Sequence, residues 1–182
     1  AFSHSSSTFM IGKIQGNIVD LLYAPLSAAE ITISISLAAA TRSFMIATIS
    51  IITFYFIVDI KIEYFFLLFL FTFLTSFILG NIGIISGLWA EKFDHQATIT
   101  NFVIVPLSFL SGTFYSIEIL PDFLKKISEL NPFFYMIDGF RFCFLGQSDG
   151  SIKTGIIYLL ILSILSWLAA YILFKRGYKI KT

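Results

Sequence analysis

Charged residues in this chain sit in clusters separated by long apolar runs. Residues 31–58 carry one charge, Arg42, and residues 64–90, 96–117 and 154–174 carry none. A bilayer core about 30 Å thick is crossed by roughly 20 helical residues. Four membrane spans are therefore expected, near 31–58, 64–90, 97–115 and 154–174. In hydrocarbon only helices and closed barrels satisfy the backbone, and these runs lack the polar alternation of barrel strands. The expected fold is all-α, a polytopic integral membrane protein of four transmembrane helices. Reading the runs as core helices of a soluble protein fails, because too little sequence remains to cover them.

The segments between the runs are more individual. KIQGNIVDLLY, residues 13–23, places Ile14, Ile18, Leu21 and Leu22 on one helical face and Lys13, Gln15, Asn17 and Asp20 on the other, with Pro25 as the stop. This pattern fits an interfacial anchor best, with a docking helix for a soluble partner as the second reading. Ser27-Ala28-Ala29-Glu30 matches the capping box and marks the start of the first span. At 1.5 Å per residue, Arg42 lies about 24 Å from Val58, so roughly 6 Å inside the cytoplasmic boundary of the core. There it snorkels to the interface or serves a functional role.

The second span carries a stripe of small residues, Thr72, Ser76, Gly80, Gly83, Gly87 and Ala90, best read as a close helix-packing face. In the third, Thr98, Asn101, Ser108 and Ser111 lie on roughly one face, and Pro106 frees the carbonyl of Phe102. Such a stripe faces either a translocation path or a neighbouring helix. Residues 116–151 form the one long stretch between spans that does not itself cross. Pro121 opens a helix with Phe123, Leu124, Ile127 and Leu130 on one face, and Asn131-Pro132 ends it. FFYMIDGFRFCFLG then runs 14 residues, too short to span and suited to a re-entrant segment. Asp138 and Arg141 stand at i, i+3, the spacing of a helical ion pair.

Composition supports a membrane chain and narrows its chemistry. Of 182 residues 57% are hydrophobic and 13% charged, the mean hydropathy is +0.89, and 22 are Phe. A net charge of +1 gives no support to a nucleic-acid partner. The single cysteine, Cys143, excludes an internal disulfide, and His4 and His95 are too isolated to suggest a metal site. Gly12-Lys13 is followed by Ile14, so there is no phosphate-binding loop. The spans hold no Asp or Glu, which leaves an intramembrane enzyme without its acid-base groups. A passive channel or membrane scaffold remains the alternative. AFSHSSST does not resemble a signal peptide, and the chain reads as beginning mid-protein. The basic tail KRGYKIK places both ends in the cytoplasm by the positive-inside rule.

Two segments together carry a family resemblance. GKIQGNIVDLLYAPLSAAEI and VPLSFLSGTFYSIEILPDFLKKISELNPFFYMIDGFRFCFLG resemble the ABC-2 type exporter permeases, in order and at the expected separation. The resemblance implies one transmembrane domain over 1–182, lacking the first two of six spans. It implies that 13–25, with Gly16, Asn17, Asp20, Leu21, Leu22 and Pro25, is the cytoplasmic segment that couples to the ATPase. It implies that 116–151 is an extracytoplasmic re-entrant region capping the path, matched at Gly112, Tyr115, Pro121, Asn131, Pro132, Asp138 and Arg141. The expected function is export of an amphiphile, such as a lipid, glycolipid, polysaccharide or drug. The chain would act as a non-catalytic homodimer in the inner membrane, paired with an ATP-binding cassette ATPase subunit. It would hold no cofactor of its own, with ATP and Mg²⁺ on the partner.

Overall fold

The computed structural model describes residues 1–18, 23–58, 61–113 and 121–178. Among them the secondary structure is entirely helical. In chain order the helices are α1 (Phe2–Ile14), α2 (Ala28–Tyr55), α3 (Phe65–Trp89), α4 (Phe93–Ile99), a π-helical turn (Thr100–Ile104), α5 (Val105–Phe109), α6 (Asp122–Leu130), α7 (Pro132–Leu145) and α8 (Ile152–Lys175). Three of them, α2, α3 and α8, are long and apolar enough to cross a bilayer. They coincide with three of the four expected spans to within three residues at each end.

The remaining run, expected as a span over 97–115, starts earlier, at Phe93, and is built in three pieces up to Phe109. The break falls where the sequence places it. Pro106 has no N–H to donate and crowds the carbonyl four residues before it. The chain answers with the π turn over Thr100–Ile104, in which Val105 N–H reaches back to Thr100 O.

The start of the chain differs most from the sequence reading. Residues 2–14 form a helix, so Lys13 and Ile14 end α1 instead of opening an amphipathic helix over 13–23. Gln15 caps α1, and Gly16 turns the chain at φ 75°. Ile14 is 57% exposed while Ile18 is buried, so the two do not share one face. The hydrophilic letters of FSHSSSTFM hid this helix: Ser5 and Ser6 are fully buried against α3.

The helix α3 is the axis of the bundle, packed on α1, α2, α7 and α8. Its small-residue stripe is a packing face. A methyl placed on Gly83 would lie 2.5 Å from the backbone oxygen of Phe2, and one on Gly87 2.7 Å from that of Ser6. Only glycine lets α1 lie this close. At Gly80 the neighbour is the Cβ of Ala39 on α2, at an ordinary 3.4 Å. Deeper in the same interface Ser36 Oγ donates to Asn81 Oδ1 at 2.8 Å, and Asn81 Nδ2 donates to Phe77 O at 2.9 Å, so the buried amide is satisfied at both ends.

Two apolar cores lie at opposite ends of α3. Phe9, Ile18, Ile31, Ile84, Leu88, Ala170 and Phe174 form one, at the end where α1 and α8 finish and α2 begins. Leu68, Phe71, Leu74, Ile78, Met136, Cys143 and Leu159 form the other, where α7 packs against the start of α3. The capping box forms as expected: Glu30 N–H donates to Ser27 Oγ at 3.3 Å and Ser27 N–H to Glu30 Oε2 at 2.7 Å.

Close approach of α1 and α3 makes a graded prediction. Gly83→Ala should lower the unfolding temperature in detergent by the equivalent of about 1–3 kcal/mol, the usual cost of overpacking. Gly80→Ala, whose methyl would meet its neighbours at ordinary van der Waals distances of 3.4 Å and more, should stay within about 0.5 kcal/mol of the wild type. Fluorescence-detected thermal unfolding of the two variants in one detergent checks the order; equal shifts would refute it.

Candidate functional site

Three groups of residues were singled out by sequence, and they occupy different places in the fold. Gly16, Asn17 and Pro25 are exposed at the Lys13 end of the bundle. Asp20, Leu21 and Leu22 lie outside the described residues, as does Tyr115. The neighbouring Tyr23 is 84% exposed and Leu26 51%, so among the described residues apolar surface is presented here. This segment is fastened to the bundle by Lys13. Its ammonium donates to the carbonyl of Leu88 and, at 3.3 Å, to that of Ala90, at the end of α3. The last carbonyls of a helix have no intrahelical donor and carry its negative dipole end. A lysine is the natural cap, and the sequence reading, which gave Lys13 to the solvent face, missed it.

At the opposite end the motif residues form one hydrogen-bonded assembly. Asn131 caps α7, accepting from Phe133 N–H at 3.0 Å, and Pro132 takes the first helical position. The Asn131 amide also donates to Leu107 O at 2.6 Å. Ser128 Oγ donates to Leu110 O at 2.9 Å. Arg141 Nη2 donates to the carbonyl of Gly112, which sits at φ 77° where glycine is favoured. Three side chains of α6, α7 and the Asn131 junction between them thus take up the carbonyls that α5 leaves open at its end. Pro121 stands at the N-cap of α6, one position before its first turn.

Asp138 and Arg141 do not pair with each other. Arg141 Nη1 binds Asp149 Oδ2 at 2.8 Å in the loop between α7 and α8. Asp138 instead accepts the backbone N–H groups of Asp149 (2.8 Å) and Gly150 (3.1 Å). The i, i+3 spacing was correct, but both side chains turn to the same loop, which offers each a better partner. Burial pushes the Asp138 carboxyl above its usual range; the two N–H bonds oppose this and are outweighed. Asp149 and Ser128 complete the assembly and carried no sequence signal beyond being polar.

The third group is dispersed. Thr98 and Asn101 are exposed on α4 and the π turn, Ser108 is half-buried, and Ser111 is 1% exposed beyond the end of α5. Thr98, Ser108 and Ser111 donate to carbonyls of their own run, at 2.8, 2.8 and 2.5 Å.

Comparison with known proteins gives consistent results. The family model described as ABC-2 type transporter matches residues 1–145. The chain is 31% identical over 177 residues to the inner membrane transport permease YadH of Escherichia coli K12, covering 97% of this chain and 69% of that one. The permease of the same name from Shigella flexneri gives the same values. Nodulation protein J of Sinorhizobium fredii is 26% identical over 103 residues, 57% of this chain and 39% of that protein. No solved structure matches the chain.

The assembly predicts which pair of charges is coupled. In a double-mutant cycle Arg141→Ala and Asp149→Ala should show a coupling of about 0.5–1.5 kcal/mol, modest because both side chains are partly exposed. Arg141→Ala with Asp138→Asn should come closer to additive. Unfolding temperatures of the four proteins in each cycle decide the matter; larger coupling for the Asp138 pair would contradict the geometry.

Proposed function

The chain belongs to the ABC-2 type transporter family and is a multi-pass membrane transport permease, and on that premise we propose that it is the membrane subunit of an ATP-driven exporter of an amphiphile. ATP and Mg²⁺ are held by a separate ATP-binding cassette chain, and two permease chains form the path. The reading is carried by the family match across 1–145, which contains both the exposed segment after α1 and the assembly around Arg141. The relatives named as inner membrane permeases support the same membrane for this chain. The run 93–113 makes the fourth crossing, with its π turn inside the bilayer. Residues 13–25 face the cytoplasm and dock the ATPase, and 116–151 face the other side and dip into the membrane without crossing. Nucleotide binding on the partner shifts the population of inward- and outward-open states through the docking segment.

The exposed apolar residues beside Gly16 and Pro25 support the docking role, since unpartnered apolar surface at a bundle end marks an interaction site. Asp20→Arg should weaken recovery of the ATPase chain in a pull-down about tenfold, a change of about 1.4 kcal/mol, and leave membrane insertion intact. Unchanged recovery and unchanged transport would reduce the segment to an anchor. Orientation is checked separately, in a Cys143→Ala background. Cysteines introduced at the exposed Lys126 and Ser151 should both react with an impermeant maleimide from the extracytoplasmic side. Labelling from opposite faces would overturn the four-crossing arrangement.

A further inference from the structure

Arg42 is a charge that neither the helix packing nor the Arg141 assembly uses. Ser36 pairs with Asn81 and Phe44 stacks on Phe69, which sets the Arg42 backbone beside the middle turns of α3. Its side chain is exposed, and no carboxylate pairs with it among the described residues. The guanidinium meets α1, where Nη1 lies 3.1 Å from His4 Nδ1. A guanidinium has no lone pair to offer, so Nδ1 is the acceptor and His4 is neutral with its proton on Nε2. Arg42 and His4 line a cleft of about 460 Å³ between α1 and α2.

The chemistry of that cleft is one-sided. Arg42 keeps further N–H donors, and His4 offers Nε2–H. The hydroxyl protons of Ser7 and Thr8 are already committed to the carbonyls of Ser3 and His4, at 2.6 and 2.9 Å. No Asp or Glu lines the cleft, and Ile11 and Ile46 continue its wall as exposed apolar surface. A positive charge on a spanning helix without a counter-ion is costly unless an anion or water reaches it. Donors beside exposed isoleucines match a molecule with an anionic head and an alkyl tail.

We propose that this cleft binds the phosphate head group of a membrane amphiphile, Arg42 and His4 Nε2 donating to its oxygens while Ile11 and Ile46 lie along its chain. The head group belongs either to a resident phospholipid or to a transported amphiphile, and the chemistry is the same for both. The site itself does not depend on ATP coupling.

Native mass spectrometry of the protein released from phosphatidylcholine nanodiscs containing a minor fraction of phosphatidylglycerol tests it. The wild type should retain phosphatidylglycerol about tenfold above its bulk share. Arg42→Gln should fall to the bulk ratio, Arg42→Lys should keep part of the enrichment, and Lys126→Gln should keep all of it. A folded Arg42→Gln protein that retains the full enrichment overturns the proposal, as does an acidic protein that occupies the cleft and excludes lipid. Should Arg42→Gln not fold, competition on the wild type decides. Dilauroyl phosphatidate should displace the bound lipid and dilauroylglycerol should not; equal displacement by both overturns the proposal. With the ATPase partner present, ATP-dependent release of phosphatidylglycerol marks the head group as cargo, and retention marks a resident lipid; both support the site.

Discussion

Every helix that ends near hydrocarbon leaves carbonyls with no donor, and this fold is organised around supplying them. In apolar surroundings an unsatisfied carbonyl costs several kcal/mol. Lys13 supplies the end of α3 at Leu88 and Ala90. Asn131, Ser128 and Arg141 supply the end of α5 at Leu107, Leu110 and Gly112. The carbonyl of Cys143, near the end of α7, takes the N–H groups of Glu63 (3.0 Å) and Tyr64 (3.4 Å) just before α3. Each of these bonds also joins two segments distant in sequence. Satisfying helix ends and fixing the tertiary arrangement are the same act in this chain.

Between its ends the bundle holds by close packing. Glycines on α3 admit the backbone of α1, and Asn81 adds a satisfied polar link to α2 at the middle of the interface. In lipid the hydrophobic effect contributes little to helix association, so close contact and hydrogen bonds must supply it. The run 93–109 is different. It has no buried residue and meets the other helices mainly near its two ends, through α3 beside Trp89 and through α7.

What the sequence revealed follows from the range of each interaction. Spans α2, α3 and α8 were legible because each is set by its own run of residues against a fixed bilayer thickness. The capping box at Ser27 and Glu30 was legible because its partners lie within three residues, whereas Asn131-Pro132 was read only as the end of α6 although Asn131 also caps α7. The small-residue stripe was legible as packing, but not that α1 fills it, because α1 is spelled with serines that look exposed. Asp138 and Arg141 were read as a pair by helical spacing. Their partners, eight to twelve residues on, depend on how Gly146 and the following loop turn back, which no local rule states. Lys13 was assigned to water because its acceptors lie 75 and 77 residues away.

The positions of the two fastened ends bear on how such a bundle can move. The helix α3 takes part in both apolar cores and is capped at the carbonyls of Leu88 and Ala90 by a lysine that closes α1, immediately before the exposed segment at Gly16. A displacement of that segment therefore acts first on the end of α3. At the far end, α5 is tied to α6 and α7 by hydrogen bonds to its last carbonyls, so those elements follow one another. The π turn lies between the two tied ends, in a run with no buried residue. The run that carries Thr98 and Asn101 thus joins, through an unburied π turn, an end that faces the proposed docking segment and an end that carries the Arg141 assembly.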